Sequence, residues 1–179
     1  VDRRAGGGAA AGGLADAAGR VGRVGCHRDP QAQIDKVIAL VKDIVARHQI
    51  APENILGHAD IAPTRKQDPG PMFPWIALAQ QGLITWPDAA KVAAARPGFD
   101  LALPDVAWFQ KKLATVGYAT PQNGELDAVT RACLVAFQMK YRPATIEGTP
   151  DAETAALLEA LVPTPPPPPA PQQLAPDPF

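Results

Sequence analysis

Apolar residues recur at helical spacing soon after the first thirty positions of the chain. They are Ile34, Val37, Ile38, Val41, Ile44 and Val45. Steps of three and four positions place such residues on one face of a helix. Asp29 can cap this helix, and Pro30 suits its first position. The pattern therefore predicts an amphipathic helix that ends near His48.

Three further helices are predicted in the second half of the chain. The apolar spacing places them at about 104–116, 126–141 and 151–162, which is enough for a small three-helix bundle. A short helix is also expected around Trp75. Between that helix and the bundle, Pro97 and Gly98 favour a break, so we place a linker at 91–103.

The stretch "APENILGH" reads as a turn followed by a very short buried strand, Ile55 and Leu56. This strand would place His58 at its carboxyl end. Ends of sheet strands are common positions for site residues. We therefore expect His58 to follow a short strand, at a position where a site residue could lie.

Both ends of the chain have biased compositions. Residues 1–28 are mostly Gly, Ala, Arg and Val without periodicity, and residues 163–179 are rich in proline. Neither segment buries enough apolar surface to offset its ordering entropy. We expect the first to be disordered and the second to be an extended tail, with a proline-rich ligand for a partner as the alternative for the tail.

Composition narrows the possible classes of protein. The 179 residues are 46% hydrophobic and carry a formal net charge of −1, which gives no basic field for nucleic acid. No apolar run approaches the roughly 20 residues that span a bilayer, and no secretion signal is present in this chain. Cys26 and Cys133 show no metal or redox spacing, so a disulfide is possible but not implied.

Residues 57–70, "GHADIAPTRKQDPG", bring a histidine, two aspartates, an arginine and a lysine together in fourteen positions. A histidine nitrogen and a carboxylate oxygen are both good zinc ligands, and a catalytic zinc typically takes three protein ligands. His58 and Asp68 are therefore candidate zinc ligands. Their spacing alone is weak evidence, because a histidine at a strand end is more often structural or simply exposed.

The longer string "ILGHADIAPTRKQDPGPMFPW" closely resembles the zinc-ligand segment of the type 2, AmpD-like N-acetylmuramoyl-L-alanine amidases. The resemblance implies zinc as the cofactor, His58 and Asp68 as ligands, and Lys66 as the residue that stabilises the oxyanion. It also implies an α/β fold, here a partial amidase domain at 29–90 with an incomplete mixed sheet. Structural roles are expected for the matching Asp60 in the turn, Arg65 in a local ion pair and Trp75 in packing.

Residues 104–162 are similar to the peptidoglycan-binding type 1 module, an all-α three-helix bundle. The similarity rests on FQ pairs followed by the pattern G-x-x-D-x-x-T. It implies peptidoglycan or a muropeptide as the partner, with Tyr118, Asp127, Phe137 and Gln138 as candidate binding residues. Each also has a structural interpretation, with Asp127 as a helix cap and Phe137 as core.

The resemblance also implies a first zinc histidine and a catalytic glutamate, both from sequence that should precede Pro30. The Gly/Ala-rich segment stands there instead, and a frameshifted coding region is one hypothesis for its origin. His27 is an alternative third ligand. A domain that lacks these parts would expose the apolar face of its first helix and be less stable than the bundle.

Two functions therefore stay open at this point. One is zinc-dependent hydrolysis of the amide between N-acetylmuramic acid and L-alanine, in intact wall or in soluble anhydro-muropeptides. The other is a catalytically incomplete protein that only binds peptidoglycan. The resemblance suggests a bacterial envelope location, either periplasmic or as an outer-membrane lipoprotein. The sequence does not give the oligomeric state.

Overall fold

The computed structural model describes residues 31–162, and every regular element in this range is a helix. The seven α-helices are α1 (Gln31–His48), α2 (His58–Ile61), α3 (Trp75–Gln80), α4 (Ala89–Leu101), α5 (Val106–Thr115), α6 (Ala128–Tyr141) and α7 (Ala152–Leu161). A 3-10 turn, Pro52–Asn54, precedes α2. We call residues 31–86 the His58 region and residues 88–162 the bundle.

The α/β prediction is wrong for the part of the chain that the structure describes, since residues 31–162 contain no strand. Ile55 does have an extended backbone, with φ −95° and ψ 103°. A strand, however, exists only when another strand supplies its hydrogen-bond partners. Within 31–162 no such partner is present, so Ile55 and Leu56 form an extended connection into α2.

The predicted first helix is confirmed as α1, but it is not buried in a core. Its apolar stripe is half-buried, and Leu40 on the neighbouring face is 58% exposed. Ile38, Val41 and Val45 pack against a small cluster made by α3 and the residues after it. The buried members of this cluster are Trp75, Leu78, Leu83 and Ile84. The His58 region is therefore held by a small apolar core.

The three predicted C-terminal helices are confirmed as α5, α6 and α7. Their shared core is much larger and is centred on fully buried Phe109, Leu113, Leu134, Phe137 and Leu158. Asp105, Asp127 and Asp151 cap these helices by accepting a backbone N–H three residues later.

The break predicted at Pro97 and Gly98 is wrong, because α4 continues through both residues to Leu101. Pro97 removes one backbone hydrogen bond, but tertiary contacts compensate. Phe99 packs on the bundle core, and Arg96 pairs with Asp100 at 2.9 Å and with Glu153 of α7 at 3.7 Å. Most of the segment 91–103 thus belongs to α4, which packs along α7, and the domain boundary itself stays a prediction.

The predictions for residues 1–28 and 163–179 lie outside the described residues, as do Cys26 and His27. Within 31–162, none of the helices has the length and apolar character needed to span a bilayer.

Candidate functional site

His58 and Asp68 lie side by side on the surface, although ten positions separate them. The Nδ1 atom of His58 is 2.5 Å from Oδ2 of Asp68, and both side chains are about 60% exposed. His58 is the first residue of α2, and the backbone N–H of Ala59 donates to the Asp68 carbonyl at 3.0 Å. The backbone of α2 therefore brings the two candidate ligands together.

The charge state of Asp68 is set by its neighbours. The hydrogen bond with His58 lowers the pKa of Asp68 below its usual value, and the nearby Lys66 ammonium adds to this effect. Asp68 therefore remains a carboxylate into acidic solution. Lys66 and Arg65 are exposed on the same loop, and the ion pair expected for Arg65 is not seen among residues 31–162.

The loop that carries Asp68 packs closely against the start of α2. A side chain at Gly57 would place a Cβ atom 2.8 Å from Cδ of Pro69 and 3.2 Å from the Trp75 ring. Gly57 is needed here because the two chain segments approach too closely for any other residue. Trp75 is buried, in agreement with the packing role expected for it.

Asp60 is a buried carboxylate that joins the His58 region to the bundle. It accepts hydrogen bonds from the backbone N–H of Gly57 at 2.9 Å, from the Tyr118 hydroxyl at 2.6 Å and from Nζ of Lys140 at 2.9 Å. The bond from Gly57 fits the turn-orienting role predicted for Asp60. The two bonds from the bundle are not predicted by the sequence.

Lys140 is a buried charged residue at this junction that sequence analysis did not identify. Its side chain is only 5% exposed, and Nζ lies 4.6 Å from the centre of the Trp75 ring. A sequence signal exists, since Lys140 follows Phe137 by three positions and Ala136 by four. It therefore lies on the buried face of α6, where a lysine requires a partner. The identity of that partner, eighty positions earlier, is not visible in the sequence.

The donor set for a metal comprises two residues in the described part of the chain. No group of three or more His, Cys, Asp or Glu side chains comes together within residues 31–162. His58 and Asp68 supply one imidazole nitrogen and one carboxylate oxygen at the same point. This chemistry fits two positions of a zinc site, and a third position would have to be filled from elsewhere.

The four candidate peptidoglycan-binding residues occupy different environments. Asp127 caps α6, and the hydrogen bond from the Thr130 backbone N–H lowers its pKa. Phe137 and Gln138 are fully buried, so a polymer at the surface would not touch them. Tyr118 is buried against Asp60, and burial, followed by the nearby Asp60 charge, raises the pKa of Tyr118 well above 10. Their binding roles remain predictions.

Gln138 acts as a hydrogen-bonding hub inside the bundle. Its amide oxygen accepts the N–H groups of Glu147 and Gly148, and its amide nitrogen donates to Oγ1 of Thr154 at 3.2 Å. Other acceptors of this nitrogen are the Thr149 carbonyl and Asp151. Every polar atom of the side chain is therefore occupied internally.

Gln110 forms a second hub of the same design. Its amide oxygen accepts the N–H of Gly124, and its amide nitrogen donates to Oγ1 of Thr130. Each FQ pair thus ties one helix to the glycine and threonine of the following G-x-x-D-x-x-T segment. The repeated sequence pattern corresponds to a repeated structural unit.

A cleft of about 600 Å³ opens between the His58 region and the bundle. Leu56 lies on one side of it, and Val116, Tyr141 and Leu161 on the other. The buried polar cluster of Asp60, Tyr118 and Lys140 also contributes to its lining. The volume is within the range of small-molecule sites.

Two family models match the chain. A model of N-acetylmuramoyl-L-alanine amidases matches residues 14–71, and one of a peptidoglycan binding domain matches residues 103–158. The first match includes His58 and Asp68 and begins within the segment predicted to be disordered. The second starts just after α4.

Characterised relatives are amidases by name. N-acetylmuramoyl-L-alanine amidase AmiD of Escherichia coli K12 is 47% identical over 137 residues, which cover 73% of this chain and 48% of AmiD. The 1,6-anhydro-N-acetylmuramyl-L-alanine amidase AmpD of Enterobacter cloacae is 48% identical over 44 residues, covering 25% of this chain and 24% of AmpD. The chain thus spans about half the length of AmiD.

Solved structures of such proteins also match the chain. The complex of E. coli AmiD with the substrate anhydro-N-acetylmuramic acid-L-Ala-D-γ-Glu-L-Lys matches with a TM-score of 0.66 over 73% of this chain and 51% of that one, at 47% identity. AmpDh3 of Pseudomonas aeruginosa matches with a TM-score of 0.69 over 74% and 52%, at 40% identity. These matches show that the chain carries AmpD/AmiD-like type 2 N-acetylmuramoyl-L-alanine amidase sequence followed by a peptidoglycan-binding module.

Proposed function

We propose that this chain is part of a zinc-dependent amidase that hydrolyses the bond between the lactyl group of N-acetylmuramic acid and L-alanine. The observation that carries this proposal is the convergence of His58 Nδ1 and Asp68 Oδ2 at 2.5 Å on an exposed surface. The relatives that match this segment are amidases, and two matching structures are complexes with muropeptides. The substrate class proposed here is therefore a muropeptide or the wall polymer itself.

His58 and Asp68 are the residues of this chain that would hold the metal. When bound, zinc supplies Lewis-acid polarisation of the scissile carbonyl. Both side chains are exposed, so their ligand atoms are open to a metal ion from solution. A third ligand is not present among residues 31–162, and His27, which lies outside the described residues, is one candidate.

Lys66 is the proposed oxyanion-stabilising residue. It lies two positions before Asp68, is exposed, and its charge contributes to lowering the Asp68 pKa. A cation placed beside a carbonyl that gains negative charge lowers the barrier of hydrolysis. Removal of this cation should therefore reduce turnover without releasing the metal.

The experiment that tests the metal site is zinc analysis of the dialysed chain. We expect near-stoichiometric zinc in the wild type, loss of zinc in His58→Ala and Asp68→Ala, and retention in His48→Ala. His48 is a matched control because it is an exposed histidine on α1. Turnover of an anhydro-muropeptide by the zinc-containing wild type, and its loss in Lys66→Met, would support the amidase. Zinc-loaded protein without turnover would contradict it.

The second candidate function is wall binding by a catalytically incomplete chain. The match of residues 103–158 to a peptidoglycan binding domain favours it, as does the cleft beside Tyr118. Sedimentation with insoluble peptidoglycan measures this function directly. A bulky Thr115→Trp substitution at the exposed edge of the cleft should reduce binding, whereas Ala114→Trp, one exposed position earlier, should not. Equal binding by both variants would exclude the cleft as the binding surface.

The match to a peptidoglycan binding domain supports a location in the bacterial cell envelope, where peptidoglycan is found. We propose this location for the protein. The choice between a periplasmic and an outer-membrane form depends on targeting sequence, which residues 31–162 do not contain.

A further inference from the structure

The starting observation is a buried ion pair between distant parts of the chain. Asp60 is 7% exposed and Lys140 is 5% exposed, and their charged atoms are 2.9 Å apart. The Tyr118 hydroxyl donates to the other oxygen of the same carboxylate at 2.6 Å. A buried charge of this kind is stable only when its partners are all present. Lys140 and Tyr118 therefore fix the position of Asp60.

Asp60 in turn fixes the helix that carries His58. Helix α2 has only four residues, which is far too short to be stable by itself. Asp60 is its third residue, and the bonds from Tyr118 and Lys140 tie it to the bundle. Since His58 begins the same helical turn, its backbone position follows from that of Asp60.

The same lysine also supports the loop on the Asp68 side. Lys140 Nζ lies over the Trp75 ring at 4.6 Å. A Cβ atom at Gly57 would lie 3.2 Å from this ring and 2.8 Å from Cδ of Pro69, the residue after Asp68, so the ring, Gly57 and Pro69 lie close together. Lys140 is therefore near the backbone that precedes His58 and the backbone that follows Asp68.

We propose that Lys140 and Tyr118 are positioning residues for the His58–Asp68 pair, so that the bundle holds the proposed amidase site in its geometry. The description of the pair as a metal site rests on the proposed function. The positioning role itself is a statement about α2 and does not require a metal. Neither residue touches the substrate in this proposal, and both act through Asp60.

The test compares four variants of the full chain. Lys140→Met keeps an unbranched side chain of similar bulk and removes the ammonium group, Lys140→Arg restores a cation, and Tyr118→Phe removes one hydroxyl. Lys112→Met is the matched control, because Lys112 also forms an ion pair, with Glu159 at 2.6 Å, and also lies over a tryptophan, Trp108 at 5.3 Å. It differs in lying entirely within the bundle.

The deciding measurement is amide hydrogen exchange of the segment 57–62, which contains the Ala59 N–H bonded to the Asp68 carbonyl. We expect Lys140→Met to speed exchange of this segment by about tenfold relative to the amides of α5 and α7, and Tyr118→Phe to do so by about threefold. Lys140→Arg should restore most of the protection. Lys112→Met should leave the segment as in the wild type.

If Lys140 and Tyr118 only stabilised the bundle, their substitution would speed exchange of the bundle amides and of the 57–62 amides together. The ratio of the two exchange rates therefore separates this explanation from the positioning role. Unchanged exchange of 57–62 in both Lys140→Met and Tyr118→Phe overturns the proposal. If Lys140→Met fails to fold, as circular dichroism would show, Tyr118→Phe carries the test alone.

A second arm measures zinc affinity by competition with a chromophoric chelator, with zinc alone as the probe. We expect weaker binding by about tenfold in Lys140→Met and no change in Lys112→Met. Wild-type affinity in Lys140→Met would overturn the positioning role while leaving the amidase proposal intact. A wild-type chain that binds no zinc would instead contradict the proposed metal site, and the exchange measurement would still decide the positioning role.

Discussion

The His58 region and the bundle differ in how they are held together. The bundle has a large apolar core with Phe109, Phe137 and Leu158 fully buried, whereas the described core of the His58 region consists of four buried apolar residues. The candidate chemistry lies in the less well packed region. Polar groups that must converge on a surface leave little room for apolar packing, so such a site depends on support from a neighbouring structure.

The polar interior of the two regions also differs. In the bundle, Gln110 and Gln138 satisfy backbone groups of their own module. In the His58 region, Asp60 takes two of its three donors from outside that region. The two glutamine side chains are therefore satisfied within the bundle, whereas the buried Asp60 of the His58 region depends on donors from the bundle. The following experiments test this asymmetry.

The largest effect is expected from Trp75→Ala. Removing a buried tryptophan costs about 3–5 kcal/mol, which is a large fraction of what so small a core can provide. We expect hydrogen exchange of residues 31–86 to become fast while α5, α6 and α7 keep their protection. Loss of protection in both regions together would show that they unfold as one unit and do not differ in stability.

Gln138→Met tests the internal hydrogen bonding of the bundle. The substitution leaves the buried N–H groups of Glu147 and Gly148 without their acceptor, so we expect a loss of about 3 kcal/mol in the free energy of unfolding. Urea unfolding followed by circular dichroism gives this value. The exposed Gln80→Met should change it by less than about 0.5 kcal/mol. Similar values for the two variants would contradict the hub role.

The paired glycines of the two repeats provide a finer test. Gly148 has φ +65°, and a Cβ atom there would lie 2.7 Å from Cγ2 of Val135, whereas Gly124 has φ +76° and open space to 3.9 Å. We expect Gly148→Ala to cost about 2–3 kcal/mol and Gly124→Ala about 1 kcal/mol, because only the first adds a clash to the backbone strain. Equal costs in urea unfolding would mean that the structure relaxes around Gly148.

The smallest effect concerns the pH dependence of the α6 cap. The hydrogen bond from the Thr130 backbone N–H lowers the pKa of Asp127 in the folded chain below its usual value of 3.8. The cap therefore contributes its full stability above the unfolded pKa and loses it as the pH falls through the folded pKa. Urea midpoints of the wild type and Asp127→Asn, measured from about pH 6 to about pH 2.5, should converge at the acidic end. Parallel curves would contradict this prediction.

Local patterns of residues predicted much of the secondary structure. The spacing of apolar residues located α1, α5, α6 and α7 close to their observed bounds. The expected strand at Ile55 and Leu56 was wrong for the described residues, because a strand depends on a partner that residues 31–162 do not supply. The break at Pro97 was wrong because packing of Phe99 and pairing of Arg96 outweigh the local cost of proline in a helix.

The sequence by itself determined which residues could carry the chemistry. His58, Lys66 and Asp68 lie in one continuous segment, and their side chains can be recognised from the sequence as two metal ligands and a cation. Only the tertiary structure decided that His58 and Asp68 meet and that Lys140 and Tyr118 hold the turn between them. The physical reason is that the partner of a buried charge depends on which residues the fold places beside it. Asp60 and Lys140 are eighty positions apart, so no local sequence pattern indicates that they pair.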